Sequence, residues 1–103
     1  MKTLQEQDAA LFDKVAEEVV KQGNRFVDDN PDADPWDIAS AVIAGAVHFW
    51  LYSRQPCGDP TCESCEEVST AEQRMRLLIE EVKQSAEESD YYHSPHDSNV
   101  GRA

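Results

Sequence analysis

All three cysteines of the chain fall within nine residues. Cys57, Cys62 and Cys65 are spaced C-x4-C-x2-C in a segment that, apart from two prolines, carries no aliphatic or aromatic side chain from residue 55 to 67. Thiolates are preferred zinc ligands, and structural zinc sites commonly combine three cysteines with one histidine. Because the free energy of metal binding can order a segment that has no core of its own, we predict a structural zinc site in this loop.

A tetrahedral zinc site needs a fourth ligand, and the chain has no fourth cysteine. His48 lies nine residues before Cys57, near the end of a predicted helix, so its imidazole could reach back to the loop. The predicted metal ligands are therefore Cys57, Cys62, Cys65 and His48. Other candidates for the fourth position are a water molecule and the side chains of Asp59, Glu63, Glu66, His93 and His96.

Two other roles are open to the same thiols. Cys62 and Cys65 form a C-x2-C pair, a spacing that is typical of redox-active thiols as well as of metal sites. The three cysteines could also stay unliganded in an exposed loop. A Cys–His catalytic pair would need His48 or His93 as base, and only the residue types favour it. We predict no catalytic residue and expect a non-enzymatic protein.

Composition excludes several classes of function. The chain has 103 residues, with 21 acidic against 9 basic residues and a formal net charge of −12. Nucleic acids and anionic membranes are bound through basic surfaces, so we expect neither as a direct partner. An acidic surface suits a basic protein partner instead, and one alternative function is therefore an inhibitor or DNA mimic that occupies a nucleic-acid-binding surface.

We expect a cytoplasmic protein. The N-terminal sequence MKTLQEQDAA is polar and has no apolar segment of the kind found in secretory signals. The longest apolar stretch runs from Ile38 to Tyr52, which is shorter than the ~20 residues of a membrane-spanning helix. In a reducing compartment, metal binding or redox chemistry is favoured over a structural disulfide.

The first predicted helix begins in a capping box at Thr3–Glu6, which would satisfy free backbone amides reciprocally. It should end at residues 28–31, where turn-forming residues precede Pro31. A stripe of apolar residues recurs along it at three- and four-residue steps, which is the period of one helix face. The stripe consists of Leu11, Phe12, Val15, Val19 and Phe26.

The second predicted helix begins at Asp34 and Pro35, a capping residue followed by the residue favoured in the first helical position. From Ile38 to Tyr52 it is apolar on most sides, so it needs to be covered from several directions. Two other helices of this length could barely do so. We therefore predict a homodimer through the second helix, since two-fold pairs are the commonest assemblies.

The third predicted helix begins at a capping box, Ser69–Glu72. Its predicted buried stripe consists of Ala71, Met75, Leu78, Ile79, Val82 and Ala86. The predicted fold is all-α, a three-helix up-down bundle with the cysteine loop between helices two and three. Residues 1–89 form the predicted helical domain and residues 90–103 a flexible tail. The leading hypothesis for function is a small acidic interaction or adaptor protein with a structural zinc loop.

Overall fold

A computed structural model describes residues 4–59, 61–95 and 97, with side chains from residue 8 onward. The described chain is helical and contains no strand. Its elements are α1 (Leu4–Asp29), α2 (Pro35–Ser53), a 3₁₀ helix (Glu63–Val68) and α3 (Ala71–Glu88). The predicted all-α class is confirmed, whereas the up-down bundle stays a prediction. No helix in the described part of the chain has the length and apolar character needed to cross a membrane.

The end of α1 and the start of α2 follow the local sequence. The Asn30 side chain donates a hydrogen bond to the Phe26 carbonyl over 2.9 Å, which satisfies an acceptor at the end of α1. Asp34 Oδ1 accepts from the Trp36 amide over 2.9 Å, as an N-cap side chain does. Both predicted boundaries are confirmed. The predicted start of the first helix at Thr3 lies outside the described residues.

The N-terminus of α3 lies one residue later than predicted. Thr70 is the N-cap, and its hydroxyl accepts from the Gln73 amide over 3.1 Å. The Gln73 side chain in turn accepts from the Thr70 amide over 3.0 Å, which completes the capping box. Ser69, the predicted cap, instead donates from Oγ to the Glu66 carbonyl over 3.1 Å. Its Oγ also lies 2.8 Å from Gln73 Oε1, so that Ser69 connects the 3₁₀ helix to α3.

The chain divides into two compact units, Met1–Ala46 and Val47–Ala103. The first holds α1 and the beginning of α2, joined by the turn at residues 30–34. The second holds the end of α2, the cysteine loop, the 3₁₀ helix and α3. The predicted domain limits at residue 89 stay a prediction. Much of the predicted tail, residue 96 and residues 98–103, lies outside the described part of the chain.

The packed face of α3 contains only part of the predicted stripe. Leu78 is the only buried hydrophobic side chain among the described residues, with 8% of its surface exposed. The half-buried residues on α3 are Gln73, Arg74, Leu77 and Ala86, of which Ala86 belongs to the predicted stripe. By contrast, Met75, Ile79 and Val82 are more than half exposed. The guanidinium of Arg74 donates to the Val68 carbonyl over 2.7 Å, which holds this side chain against the end of the 3₁₀ helix.

Candidate metal centre

The cysteine loop begins where α2 ends. Gln55 Nε2 donates to the Leu51 carbonyl over 3.1 Å and so satisfies one of the free acceptors of the last helical turn. The chain then turns at Gly58, whose φ of +92° is the only positive value among the described residues. Glycine adopts this conformation without the steric cost that a side chain would add. The turn directs the chain from Cys57 toward the other two cysteines.

A second turn is built on Asp59. Its Oδ1 accepts hydrogen bonds from the amide of Thr61 over 2.9 Å and from the hydroxyl of Thr61 over 2.8 Å. The backbone bond, followed by the side-chain bond, holds the pKa of the Asp59 carboxyl below its ordinary value. The Cys62 amide donates to the Asp59 carbonyl over 3.1 Å, which closes the turn. Asp59 therefore positions Cys62 through its backbone while its carboxylate is already engaged.

The 3₁₀ helix explains why Cys62 and Cys65 come together. Cys62 is its N-cap and Cys65 lies in its first turn, and the Cys65 amide donates to the Cys62 carbonyl over 3.3 Å. A 3₁₀ helix has three residues per turn, so side chains at positions i and i+3 lie on the same side. The C-x2-C spacing therefore places both thiols on one face without help from distant parts of the chain.

Cys57 joins this pair from the other end of the loop. Its backbone amide donates to Sγ of Cys65 over 3.4 Å. The three Sγ atoms lie within 4.8 Å of one another, and all three thiols are free. Tetrahedral zinc with Zn–S bonds of about 2.3 Å separates its sulfurs by about 3.8 Å, so only a small closure is needed. These three cysteines could hold a metal ion.

The surroundings shift the pKa values of Cys62 and Cys65 in opposite directions. A hydrogen bond with the Ser64 hydroxyl, at 3.1 Å, is the main reason why the pKa of the Cys62 thiol is lowered to about 6, and the neighbouring thiols of Cys65 and Cys57 add to the effect. The Cys57 amide draws down the pKa of Cys65, but the adjacent thiols and desolvation together raise it above its ordinary value. One negative charge is therefore concentrated on Cys62.

We predict that Cys62 is the first thiol to be alkylated in metal-free protein. At pH 6 a thiol of pKa about 6 is half ionised, and the thiolate is the reactive form. A thiolate of low pKa is also a weaker nucleophile, so the expected advantage of Cys62 over Cys65 is about 10-fold in rate. Peptide mass spectrometry after a short iodoacetamide pulse measures it. Ser64→Ala should raise the pKa of Cys62 and reduce the advantage; equal rates at all three thiols in the unsubstituted chain would contradict the prediction.

The other predicted ligands are not part of the cluster. Within the described residues, the group of ligand atoms that lie within 4.8 Å of one another consists of the three cysteines alone. His48 is exposed on α2, and His93 is exposed beyond α3 with its Nδ1 at 3.7 Å from Asp97. His96 lies outside the described residues. His48 as the fourth ligand stays a prediction.

An acidic pocket adjoins the thiols. It has a volume of about 430 Å³, and its lining includes Cys62, Cys65 and the two glutamates Glu63 and Glu66. The glutamates follow the two cysteines at the same three-residue spacing, so they share the neighbouring face of the 3₁₀ helix. Their negative charge favours a cation over an anion beside the thiolates.

Side chains at the end of α2, in the residue that follows it and in the middle of α3 connect the two ends of the loop. The indole Nε1 of Trp50 donates to Glu81 Oε2 over 2.7 Å, and Arg54 Nη2 lies 3.3 Å from Glu81 Oε1. The Arg54 guanidinium also stacks 4.5 Å from the centre of the Trp50 ring. These three residues form a clamp that holds the last turn of α2 beside the middle of α3.

Comparison of the chain with protein families, curated proteins and solved structures finds no match. Function has to be inferred from the site itself.

Sequence reasoning identified the cysteines but missed Ser64 and Glu81. A signal for Ser64 was present, because a hydroxyl between the cysteines of a C-x2-C pair is placed next to a thiol. The sequence carried no comparable signal for Glu81, which contacts residues 27 and 31 positions away.

Proposed function

We propose that this chain is a small non-enzymatic interaction protein whose α2–α3 connection is ordered by one zinc ion. The observation that carries the proposal is the convergence of three free thiols within 4.8 Å of one another. Convergence of this kind costs conformational entropy and brings polar sulfurs together, and an ion bound to all three offsets that cost.

Zinc is the ion that suits this ligand set. Thiolates are soft donors, and a set of three favours zinc over magnesium or calcium, which take oxygen ligands. The amide of Cys57 already points at Sγ of Cys65, as second-shell donors do around thiolate-bound metals. His48 is assigned the fourth position from the sequence, which would close the tetrahedron and make the site structural rather than catalytic.

The interaction role rests on what the helices leave uncovered. Large apolar side chains on all three α-helices remain exposed, among them Phe12 on α1, Phe49 on α2 and Ile79 on α3. Extensive exposed apolar surface marks protein–protein contact sites. The proposed location is a reducing compartment such as the cytoplasm, because zinc binds thiolates rather than a disulfide.

The test is the metal content of protein purified without added zinc. We expect about one zinc per chain, and cobalt substitution should give intense thiolate-to-metal absorption bands. A metal-free protein with three freely titratable thiols after gentle reducing purification would defeat the proposal.

The same preparation separates the two alternatives. A redox protein that uses Cys62 and Cys65 would be metal-free and would interconvert between dithiol and disulfide. An acidic inhibitor or DNA mimic would compete with DNA for a basic protein, and its binding would weaken steeply with salt. Competition is disfavoured here because basic residues interrupt the acidic face of α1, where Lys21 lies 3.6 Å from Glu18.

A further inference from the structure

The apolar stripe of α1 is open to solvent. Its five members keep between 44% and 70% of their surface exposed, although they line one side of the helix as the sequence predicts. These residues are Leu11, Phe12, Val15, Val19 and Phe26. A helix with such a stripe gains little from folding unless another apolar surface covers it.

The beginning of α2 does not cover the stripe. Packed helices lie with their axes 8–10 Å apart, at which distance some Cα atoms approach closely. No Cα of α1 lies within 8 Å of a Cα in the Pro35–Ala46 part of α2. Between them run two cavities of about 350 and 340 Å³. The first is lined mainly by Leu11, Val15, Val19 and Val42, and the second by Phe26, Ile38, Ala41 and Val42, so that together they make one apolar groove.

The charges around the groove favour a second copy of this chain as the occupant. A two-fold contact places each surface against itself, so a chain of net charge −12 can pair only through a region that is neutral or carries both signs. No charged residue occurs between Ile38 and Ala46 on the α2 wall. On the α1 side the groove is bordered by Lys14 and Glu18, which have opposite charges. An antiparallel copy would bring unlike charges together.

The exposed area of the α1 stripe is also sufficient for a specific interface between two copies. At roughly 100 Å² of exposed surface for each partly exposed stripe side chain, the five residues offer roughly 500 Å² per copy. Two copies would then bury roughly 1,000 Å² from these side chains alone, which is the lower limit of a specific interface. The α2 wall adds to this area.

We propose that the α1–α2 hairpin pairs with the hairpin of a second copy, so that the groove is filled by two-fold symmetric packing in a four-helix core. Helical hairpins that pair in this way bury their stripes around a shared axis. The sequence prediction of a dimer through the second helix is thereby extended to α1. The inference is independent of the zinc proposal, because every residue of the groove precedes the cysteine loop.

The test compares two neighbouring valines of α1 in the metal-loaded chain of 103 residues. Val19 lies in the stripe, whereas Val20 is 63% exposed and lies outside it. Val19→Glu places two buried charges in the two-fold core and should raise the dimer dissociation constant by at least about 100-fold. Val20→Glu should leave it within about 3-fold. Sedimentation equilibrium at micromolar concentration measures both, with the unsubstituted chain expected at twice the mass of one chain.

A second measurement needs no variant, so it holds even if the substituted chains fail to fold. The melting temperature of the unsubstituted chain should rise with protein concentration, as it does when folding and association are coupled. A monomer at all concentrations would overturn the inference, as would equal effects of the two glutamates. A dimer that dissociates on chelation of the metal would also overturn it, since the contact would then lie in the cysteine loop. A dimer that contains no zinc after gentle reducing purification would defeat the proposed function and leave this inference standing.

Discussion

Cys62→Ser is expected to weaken zinc binding by about 100- to 1,000-fold. Structural zinc sites in small peptides contribute roughly 10–16 kcal/mol, so one of four ligands accounts for roughly 2.5–4 kcal/mol. His48→Ala should weaken binding by at least about 10-fold, because histidine is the predicted fourth ligand. Competition with a chromophoric chelator measures each affinity, and far-ultraviolet circular dichroism should show that the helices persist in both variants.

The matched control for the histidine is His93→Ala. His93 is 80% exposed and its Nδ1 lies near Asp97, away from the described cluster. Its replacement should leave zinc affinity unchanged. If His48→Ala also leaves the affinity unchanged while Cys62→Ser abolishes binding, the zinc proposal stands and the assignment of His48 is wrong. If neither variant changes the affinity, the cysteine cluster is not the metal site.

Leu78→Ala is expected to lower the free energy of unfolding by about 2–4 kcal/mol. Truncation of a buried leucine removes its transfer free energy and leaves a cavity that neighbouring side chains fill only partly. Leu78 is 8% exposed, the lowest value among the hydrophobic residues described. A small domain has only about 5–15 kcal/mol of stability, so the loss would be a large fraction.

The control is the next residue on α3. Ile79 is 57% exposed, and Ile79→Ala should cost less than about 1 kcal/mol. Urea denaturation of the metal-loaded protein at one fixed concentration measures both, because binding and association change apparent stability. A loss at Ile79 that equals or exceeds the loss at Leu78 would show that the side of the predicted stripe around Ile79, rather than the side around Leu78, is the packed one.

Helix ends could be predicted because their signals are local. Asp34 has its acceptor two residues from the amide that it caps, so nothing outside the turn decides the geometry. The error of one residue at α3 has an equally local cause. Ser69 with Glu72 and Thr70 with Gln73 both have the spacing of a capping box, and the sequence alone does not choose between the two registers.

The packed face of α3 could be predicted from periodicity only in part. The apolar period assigns Leu78 to the inside correctly, but it also assigns Met75, Ile79 and Val82, which are more than half exposed. It gives no sign of the hydrogen bonds from Arg74 to Val68 and from Trp50 to Glu81. The Glu81 contact joins residues far apart in sequence. The residue pattern of a single helix does not indicate such partners.

The candidate metal site was likewise predictable only in part. Convergence of Cys62 and Cys65 follows from a three-residue spacing, and a glycine turn returns Cys57 to them, so the cluster was predictable. The position of His48 depends on the last turns of α2 relative to the loop, which local spacing does not determine. Its role therefore stays a prediction, as does the identity of the ion.

The Trp50–Glu81 contact can also be considered as the closure of a polymer loop. Its ends are 31 residues apart, and a metal that joins Cys57 to Cys65 shortens the path by at most the 8 residues between them. Closure entropy depends on the logarithm of loop length, so the shortcut is worth only about 0.3 kcal/mol to the pairing of the helices. Bound metal would thus order the connection while leaving the clamp between α2 and α3 almost as favourable as before.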